Sequence, residues 1–177
     1  MTTSELEQRL RATIRDVPDF PKPGIVFKDI TPVLRDHRLF RDVIAAMAEP
    51  FRDNGITHVV AIESRGFIFG APVALELGAA LVPMRKPGKL PHLVEREEYA
   101  LEYGTDALEV HRDAMANGTK ALIVDDVLAT GGTAAAACRL AERVGVHVVA
   151  CAFLIELGLL GGRERLGERK VAVIVKY

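Results

Sequence analysis

From Thr57 onward the chain alternates short β-branched and aliphatic runs with helical stretches, and few architectures accept that rhythm. Thr57–Ile62, Ala80–Met84, Lys120–Val124, His147–Ile155 and Lys170–Val175 read as strands. Phe67–Leu77, stopped by Gly78, and an alanine-rich stretch from about Thr133 to Val144 read as helices. Apolar strands separated by helices cannot pair through tight hairpins. They need crossover connections, hence a mostly parallel sheet with both faces covered. A chain of 177 residues suits one domain, residues 1–177, with a core that needs no disulfide or structural metal. The expected class is α/β, a mostly parallel twisted sheet flanked by helices.

Two regions stand outside the alternation. The first is the N-terminal 35 residues and the helix that follows. Leu6, Leu10 and Ile14 line one face of a helix over Ser4–Arg15, with Ser4 and Glu7 as a capping box. Pro18, Pro21 and Pro23 then forbid a helix. A second helix is expected over His37–Asn54, capped by Asp36 and stopped by Gly55, with Phe40, Val43, Ile44, Met47 and Phe51 inward. The other region is Pro87–Met115, polar and charged. Tyr99–Tyr103 and Leu108–His111 read as two strands around Gly104-Thr105, a flap inserted between parallel strands and expected to bury little apolar area.

Composition removes several functions. The net charge of -1 gives no bulk attraction to nucleic acid or anionic membrane. The longest apolar run, Val148–Ile155, is far short of a bilayer span, and the start MTTSELEQRL is no secretory signal, so a cytoplasmic protein is expected. Cys138 and Cys151 lack metal-ligand spacing and read as buried, reduced thiols. The five histidines, His37, His58, His92, His111 and His147, show no ligand pairing either. No serine or cysteine sits in a nucleophile setting.

In open α/β sheets ligands bind at the carboxyl ends of the strands, near a change in strand order. The sharpest such place is Ala121-Leu-Ile-Val-Asp-Asp-Val-Leu-Ala-Thr-Gly-Gly-Thr133. A buried strand ends in Asp125 and Asp126, and a small-residue loop feeds a helix. Gly131 and Gly132 let a ligand approach the backbone, Thr130 and Thr133 add hydroxyls, and the helix start adds unpaired N–H groups. That is a cradle of neutral donors for a phosphate monoester. It lacks the lysine of a P-loop, and the chain has no G-x-G-x-x-G. Two acids beside a phosphate need something between them, and a sugar diol or a divalent cation fits. Glu63-Ser64-Arg65-Gly66 forms a second loop at a helix start, and Arg85-Lys86-Pro87-Gly88-Lys89 puts three cations after another strand. Together these suit pyrophosphate. Phosphate, diol with metal, and pyrophosphate combine in 5-phosphoribosyl 1-pyrophosphate.

At this point the sequence resembles a known family. Val124-Asp-Asp-Val-Leu-Ala-Thr-Gly-Gly-Thr133 is similar to the signature of type I phosphoribosyltransferases. Asp19-Phe-Pro-Lys-Pro-Gly-Ile-Val-Phe-Lys-Asp-Ile-Thr-Pro32, Glu63-Ser-Arg-Gly-Phe-Ile-Phe-Gly70, Arg85-Lys-Pro-Gly-Lys-Leu-Pro91 and Tyr99-Ala-Leu-Glu-Tyr-Gly104 narrow it to members acting on adenine. Glu63 departs from the aspartate of many members, and Lys28 from the arginine of some. The resemblance implies transfer of a phosphoribosyl group to adenine, giving AMP and pyrophosphate. It implies that Asp125 and Asp126 hold the ribose hydroxyls and the Mg²⁺ environment, and that Ala129, Thr130, Gly131, Gly132 and Thr133 hold the 5′-phosphate. Ser64 and Arg65 would form a pyrophosphate loop, often with a non-proline cis peptide, and Arg85, Lys86 and Lys89 would meet pyrophosphate. Val26, Phe27 and Lys28 would bind adenine under a hood formed by residues 1–35, with Leu157 closing the pocket. Glu102 would be the acid/base near N7, with Tyr103 beside it in the flap, residues 87–115. The resemblance also implies a homodimer, with Arg85 reaching the partner's site. Two alternatives remain at this stage: a phosphoribosyltransferase for hypoxanthine/guanine, xanthine or orotate, and a non-catalytic regulator that senses the phosphoribosyl donor.

Overall fold

The computed structural model describes residues 2–100 and 104–177. Its centre is a five-stranded sheet of β3 (His58–Ile62), β4 (Ala80–Met84), β7 (Lys120–Leu128), β8 (His147–Glu156) and β9 (Lys170–Lys176). Every pairing is parallel, in the order β4-β3-β7-β8-β9. Succession reverses between β3 and β7, so the crevice at their carboxyl ends is the switch point where a ligand fits.

The pleat divides the sheet residues between two cores. Val59 on β3, Leu122 and Val124 on β7, and Ala152 and Leu154 on β8 face the first. It is covered by α1 (Thr3–Thr13), α2 (Thr31–Arg35), α3 (His37–Ala48) and α4 (Gly66–Leu77). Val60, Ile62, Ala121, Ile123, Cys151 and Phe153 face the second, under the alanine-rich helix α5 (Gly132–Arg143). Small alanine side chains let α5 lie close to the sheet, and Ala136, Ala137, Cys138 and Leu140 are all buried.

Four of the expected local features differ for physical reasons. The capping box of α1 is Thr2 with Glu5, two residues before the expected Ser4 and Glu7. Glu7 is engaged instead with Arg11 one turn on, at 2.7 Å. The helix capped by Asp36 stops at Ala48 rather than Asn54, because Pro50 cannot continue the ladder, and a 3₁₀ turn, Glu49–Phe51, follows. The proline-rich segment forms a hairpin of β1 (Arg15–Pro18) and β2 (Val26–Asp29), with a cis Phe20–Pro21 bond between them. β7 runs four residues beyond Val124, so both aspartates lie inside a paired strand, with Asp125 opposite Phe153.

The inserted segment needs the largest correction. It contains a hairpin of β5 (Val94–Ala100) and β6 (Thr105–His111), paired Tyr99 to Asp106 and Ala100 to Thr105. It does not bury little: Tyr99, Leu108 and Val110 belong to the second core. Arg85 and Glu109 bridge it to the end of β4, and Glu97 is clamped by Arg139 at 2.7 Å and by Arg143, both on α5. Burial was missed because β6 alternates weakly, with four buried residues in succession, Ala107 to Val110.

Candidate active site

Three loops meet at the switch point. The first follows β3. Its Glu63–Ser64 peptide bond is cis, and Arg65 caps α4. The first turn of α4 packs against the end of β7, where only glycine fits. A Cβ on Gly66 would lie 2.9 Å from both the Asp125 Oδ1 and the Val124 carbonyl oxygen.

β7 supplies the second loop. Asp126 is buried and pairs with Arg65, which joins the two loops directly. Asp125 Oδ1 accepts the Asp126 N–H at 2.8 Å. Burial, and next the charge of Asp126, push the Asp125 carboxyl well above the usual carboxylate range. Beyond β7, Gly131 takes a left-handed conformation (φ 77°) and opens α5 without any side-chain cap. The N–H groups of that first turn are therefore left for an anion. The turn is buttressed from behind by α6 (Gly162–Arg165), and a Cβ on Gly162 would lie 2.1 Å from the Ala129 carbonyl oxygen.

The third loop follows β4, and Glu63 organises it. Its side chain is almost fully buried, accepts the Lys86 N–H at 2.9 Å and pairs with Arg85 at 3.2 Å and with Lys89. Burial opposes its ionisation, yet the bonds from Lys89 and the Lys86 N–H hold the carboxyl below the usual range. Lys86 itself turns to Tyr99 Oη, 3.0 Å away, and to Asp106.

The N-terminal hairpin reaches the same place. The Arg65 guanidinium sits 5.4 Å from the centroid of the Phe27 ring, which meets Phe20 edge-on at 5.2 Å. Val26 is exposed beside it. Lys28 points its ammonium to Asp16, at 2.6 Å, and over the Tyr177 ring. Its backbone lies in the β1–β2 ladder, opposite Asp16. Leu157 follows β8, bonded to the Leu128 carbonyl at 2.9 Å, and the next N–H, of Gly158, reaches the Tyr177 carbonyl.

Thus Ser64, Arg65, Asp125, Asp126, the Ala129–Thr133 loop, Arg85, Lys86 and Lys89 gather at one end of the sheet, with Phe27 joined to them through Arg65. Glu102 and Tyr103 lie outside the described residues. Sequence reasoning passed over Glu63 as a mere variant of aspartate, although a carboxylate beside three downstream cations was the available signal. Asp106 and Gly162 carried no such signal. As for metal, no cluster of three or more His, Cys, Asp or Glu ligands exists among the described residues. Two adjacent carboxylates at a strand end do fit Mg²⁺ that arrives with phosphate oxygens of a ligand and keeps some of its water.

Comparison with known proteins agrees with this geometry. A family model described as phosphoribosyl transferase domain matches residues 30–176. The adenine phosphoribosyltransferase of Myxococcus xanthus is 55% identical over 177 residues, covering 100% of this chain and 96% of its own. The crystal structure of the enzyme of that name from Rhodothermus marinus superposes with a TM-score of 0.93 at 54% identity, over 98% of this chain and 99% of that one. A Saccharomyces cerevisiae structure, crystallised with an imino-altritol bisphosphate and adenine, gives a TM-score of 0.91 at 39% identity, over 97% and 99%.

Proposed function

The chain belongs to the phosphoribosyl transferase family, among its adenine phosphoribosyltransferases, and from that premise we infer how its residues divide the work. The enzyme transfers the phosphoribosyl group of 5-phosphoribosyl 1-pyrophosphate to adenine, giving AMP and pyrophosphate, a purine-salvage reaction. One observation carries the residue assignment: Arg65 of the pyrophosphate loop contacts both Asp126 and the Phe27 ring. Base, sugar and leaving group are thereby given adjacent seats.

Adenine stacks on Phe27, its edge read by backbone groups of Val26 and Lys28, and Leu157 closes the far side. Asp125 and Asp126 accept the ribose hydroxyls. The uncapped first turn of α5, with Thr130 and Thr133, holds the 5′-phosphate. Ser64, Arg65, Arg85, Lys86 and Lys89 hold pyrophosphate. Bond breaking at C1 precedes bond making, so the sugar develops positive charge while the leaving group gains negative charge. The protein needs no covalent nucleophile. It aligns N9 of adenine with C1 and offsets the leaving-group charge with fixed cations. Asp125 and Asp126 would hold the Mg²⁺ that comes with the donor, and that ion would supply further neutralisation of the pyrophosphate oxygens. Glu102 exchanges a proton at N7 of adenine.

The working unit is a homodimer. α4 is apolar apart from Glu76, and its Ile68 and Leu75 stay exposed, as does Leu81 of the edge strand β4. Such a face calls for cover, and Arg85 lies at the end of the same strand. Sedimentation at assay concentration checks this, and a fully active monomer refutes a shared site. The protein works in the cytoplasm with Cys138 and Cys151 reduced, and among the described residues no helix is long and apolar enough to cross a membrane. The chain acts on small molecules, with no nucleic-acid partner.

The decisive assay measures nucleotide formation from donor and Mg²⁺ with adenine, hypoxanthine and guanine in competition. AMP is the expected product, and preferential use of another base overturns the pocket assignment.

A further inference from the structure

Every cation at the pyrophosphate end already has a carboxylate partner. Arg65 pairs with Asp126, Arg85 and Lys89 pair with Glu63, and Lys86 pairs with Asp106. Glu63 and Asp126 belong to the loops that carry the family resemblance. Asp106 does not. It sits on β6, 20 residues from Lys86 in sequence, and reaches the site only because the hairpin packs against the end of β4.

The arrangement around Lys86 is a closed set of polar contacts. Tyr99 and Asp106 face each other across the β5–β6 ladder. Tyr99 Oη accepts from Lys86 at 3.0 Å and from Thr133 Oγ1 at 3.3 Å, and donates to the Asp106 carboxylate at 3.3 Å. A phenol has one donor and two lone pairs, so its capacity is filled. The Lys86 ammonium has three N–H donors, and these contacts use two. The Asp106 carboxylate also accepts the Ala107 N–H at 2.8 Å, which fixes its orientation. Burial opposes charge on both Lys86 and Asp106. Their mutual bond nevertheless holds the ammonium above, and the carboxyl below, the usual range.

We propose that Asp106, braced by Tyr99, is a positioning residue for pyrophosphate: it holds Lys86 in the resting site and yields it when pyrophosphate binds. The proposal rests on the assignment of Lys86 to pyrophosphate. Its physical content is a subtraction. Four cations facing a polyanion alone would hold the product as firmly as the departing group. Tight binding of a ground state does not speed the chemical step, whereas interaction that grows with developing charge does. Three carboxylates among the four cations reduce the resting attraction. The leaving group regains Lys86 only as its own charge outcompetes Asp106. Because Tyr99 also holds Thr133, the same rung ties the pyrophosphate end to the loop that cradles the 5′-phosphate.

The test measures product inhibition by inorganic pyrophosphate, with Mg²⁺ present, on the full-length enzyme. A partly exposed ion pair is worth up to about 1 kcal/mol. Asp106→Asn should therefore lower the inhibition constant about fivefold, with the KM for adenine unchanged. Tyr99→Phe, which removes one acceptor from Lys86, should shift it the same way by about twofold, and it serves if the asparagine variant does not fold. Lys86→Met should raise the constant, and Lys86→Met with Asp106→Asn should match Lys86→Met alone. A damaged site loses affinity, so a gain that vanishes without Lys86 supports the positioning role. If Asp106→Asn and Tyr99→Phe leave the constant unchanged or raise it while Lys86→Met weakens inhibition, the role of Asp106 is overturned and that of Lys86 stands. If Lys86→Met has no effect, the assignment of Lys86 fails and takes this proposal with it.

Discussion

Asp125→Asn should make the ligand-free protein more stable while abolishing donor use. The exchange is nearly isosteric. The amide oxygen still accepts the Asp126 N–H, held at 2.8 Å in the native protein, and Gly66 leaves the same room beside it. No cavity opens and no bond is lost. What disappears is a carboxyl that burial and Asp126 push well above its usual range. The sign follows from linkage. The unfolded chain ionises Asp125 freely near pH 3.9, whereas the native state resists ionisation, so the unfolded state binds fewer protons above that pH. Asp125 therefore subtracts stability as pH rises from its unfolded value to its raised native value, and by a constant amount beyond. Below the unfolded value both states are protonated and it subtracts nothing. Relief of one such strained site is worth about 1 kcal/mol, or roughly 2–4 °C in Tm for a chain of this size. Thermal melts of the free enzyme from pH 4 to pH 8 should show the gain emerging with rising pH. Asp126→Asn should show no such gain, because it takes from Arg65 its carboxylate partner. A melting temperature for Asp125→Asn at or below wild type at pH 8, or a gain equally large at pH 4, refutes the reasoning.

Two further outcomes follow from packing and chemistry. Gly162→Ala puts a methyl 2.1 Å from the Ala129 carbonyl, so the phosphate loop must shift, and the KM for the donor should rise at least about tenfold with adenine binding in the free enzyme less affected. Isothermal titration of each substrate separates the two. Glu102→Gln should lower kcat roughly 10²-fold, and a change confined to KM makes Glu102 a positioning residue instead.

Much of the fold was legible because a parallel sheet leaves a strong trace. Each of its strands is apolar along most of its length, and Gly78 takes the left-handed conformation that stops α4 as expected. The uncapped helix start after β7 was legible for a different reason: glycines, threonines and paired acids at a strand end have few other uses. What escaped was set by contacts between distant segments. Which of two overlapping boxes caps α1 depends on whether Glu7 is free, and Arg11 takes it. The burial of β6 depends on α5 and on the Arg85–Glu109 bridge, which no local pattern announces. Asp106 reads as one more polar residue in a charged hairpin until the fold sets it beside Lys86.

The same long-range contacts explain how a site so unfavourable in isolation persists. Asp125 resists its own charge, the first turn of α5 has no cap, and Gly66 and Gly162 each bring backbone to within van der Waals contact of a neighbour. None of these features adds stability locally. They are held by the two cores on either side of the sheet, whose residues Phe69, Leu122, Ile123 and Phe153 are almost wholly shielded from water. Under the proposed assignment, donor and base would provide what the site lacks: an anion for the bare helix turn, hydroxyls for the aspartates and a polyanion for the cations. Stability and catalysis are thus assigned to different layers of one sheet. An isosteric change at a strand end can therefore strengthen the fold and silence the reaction together.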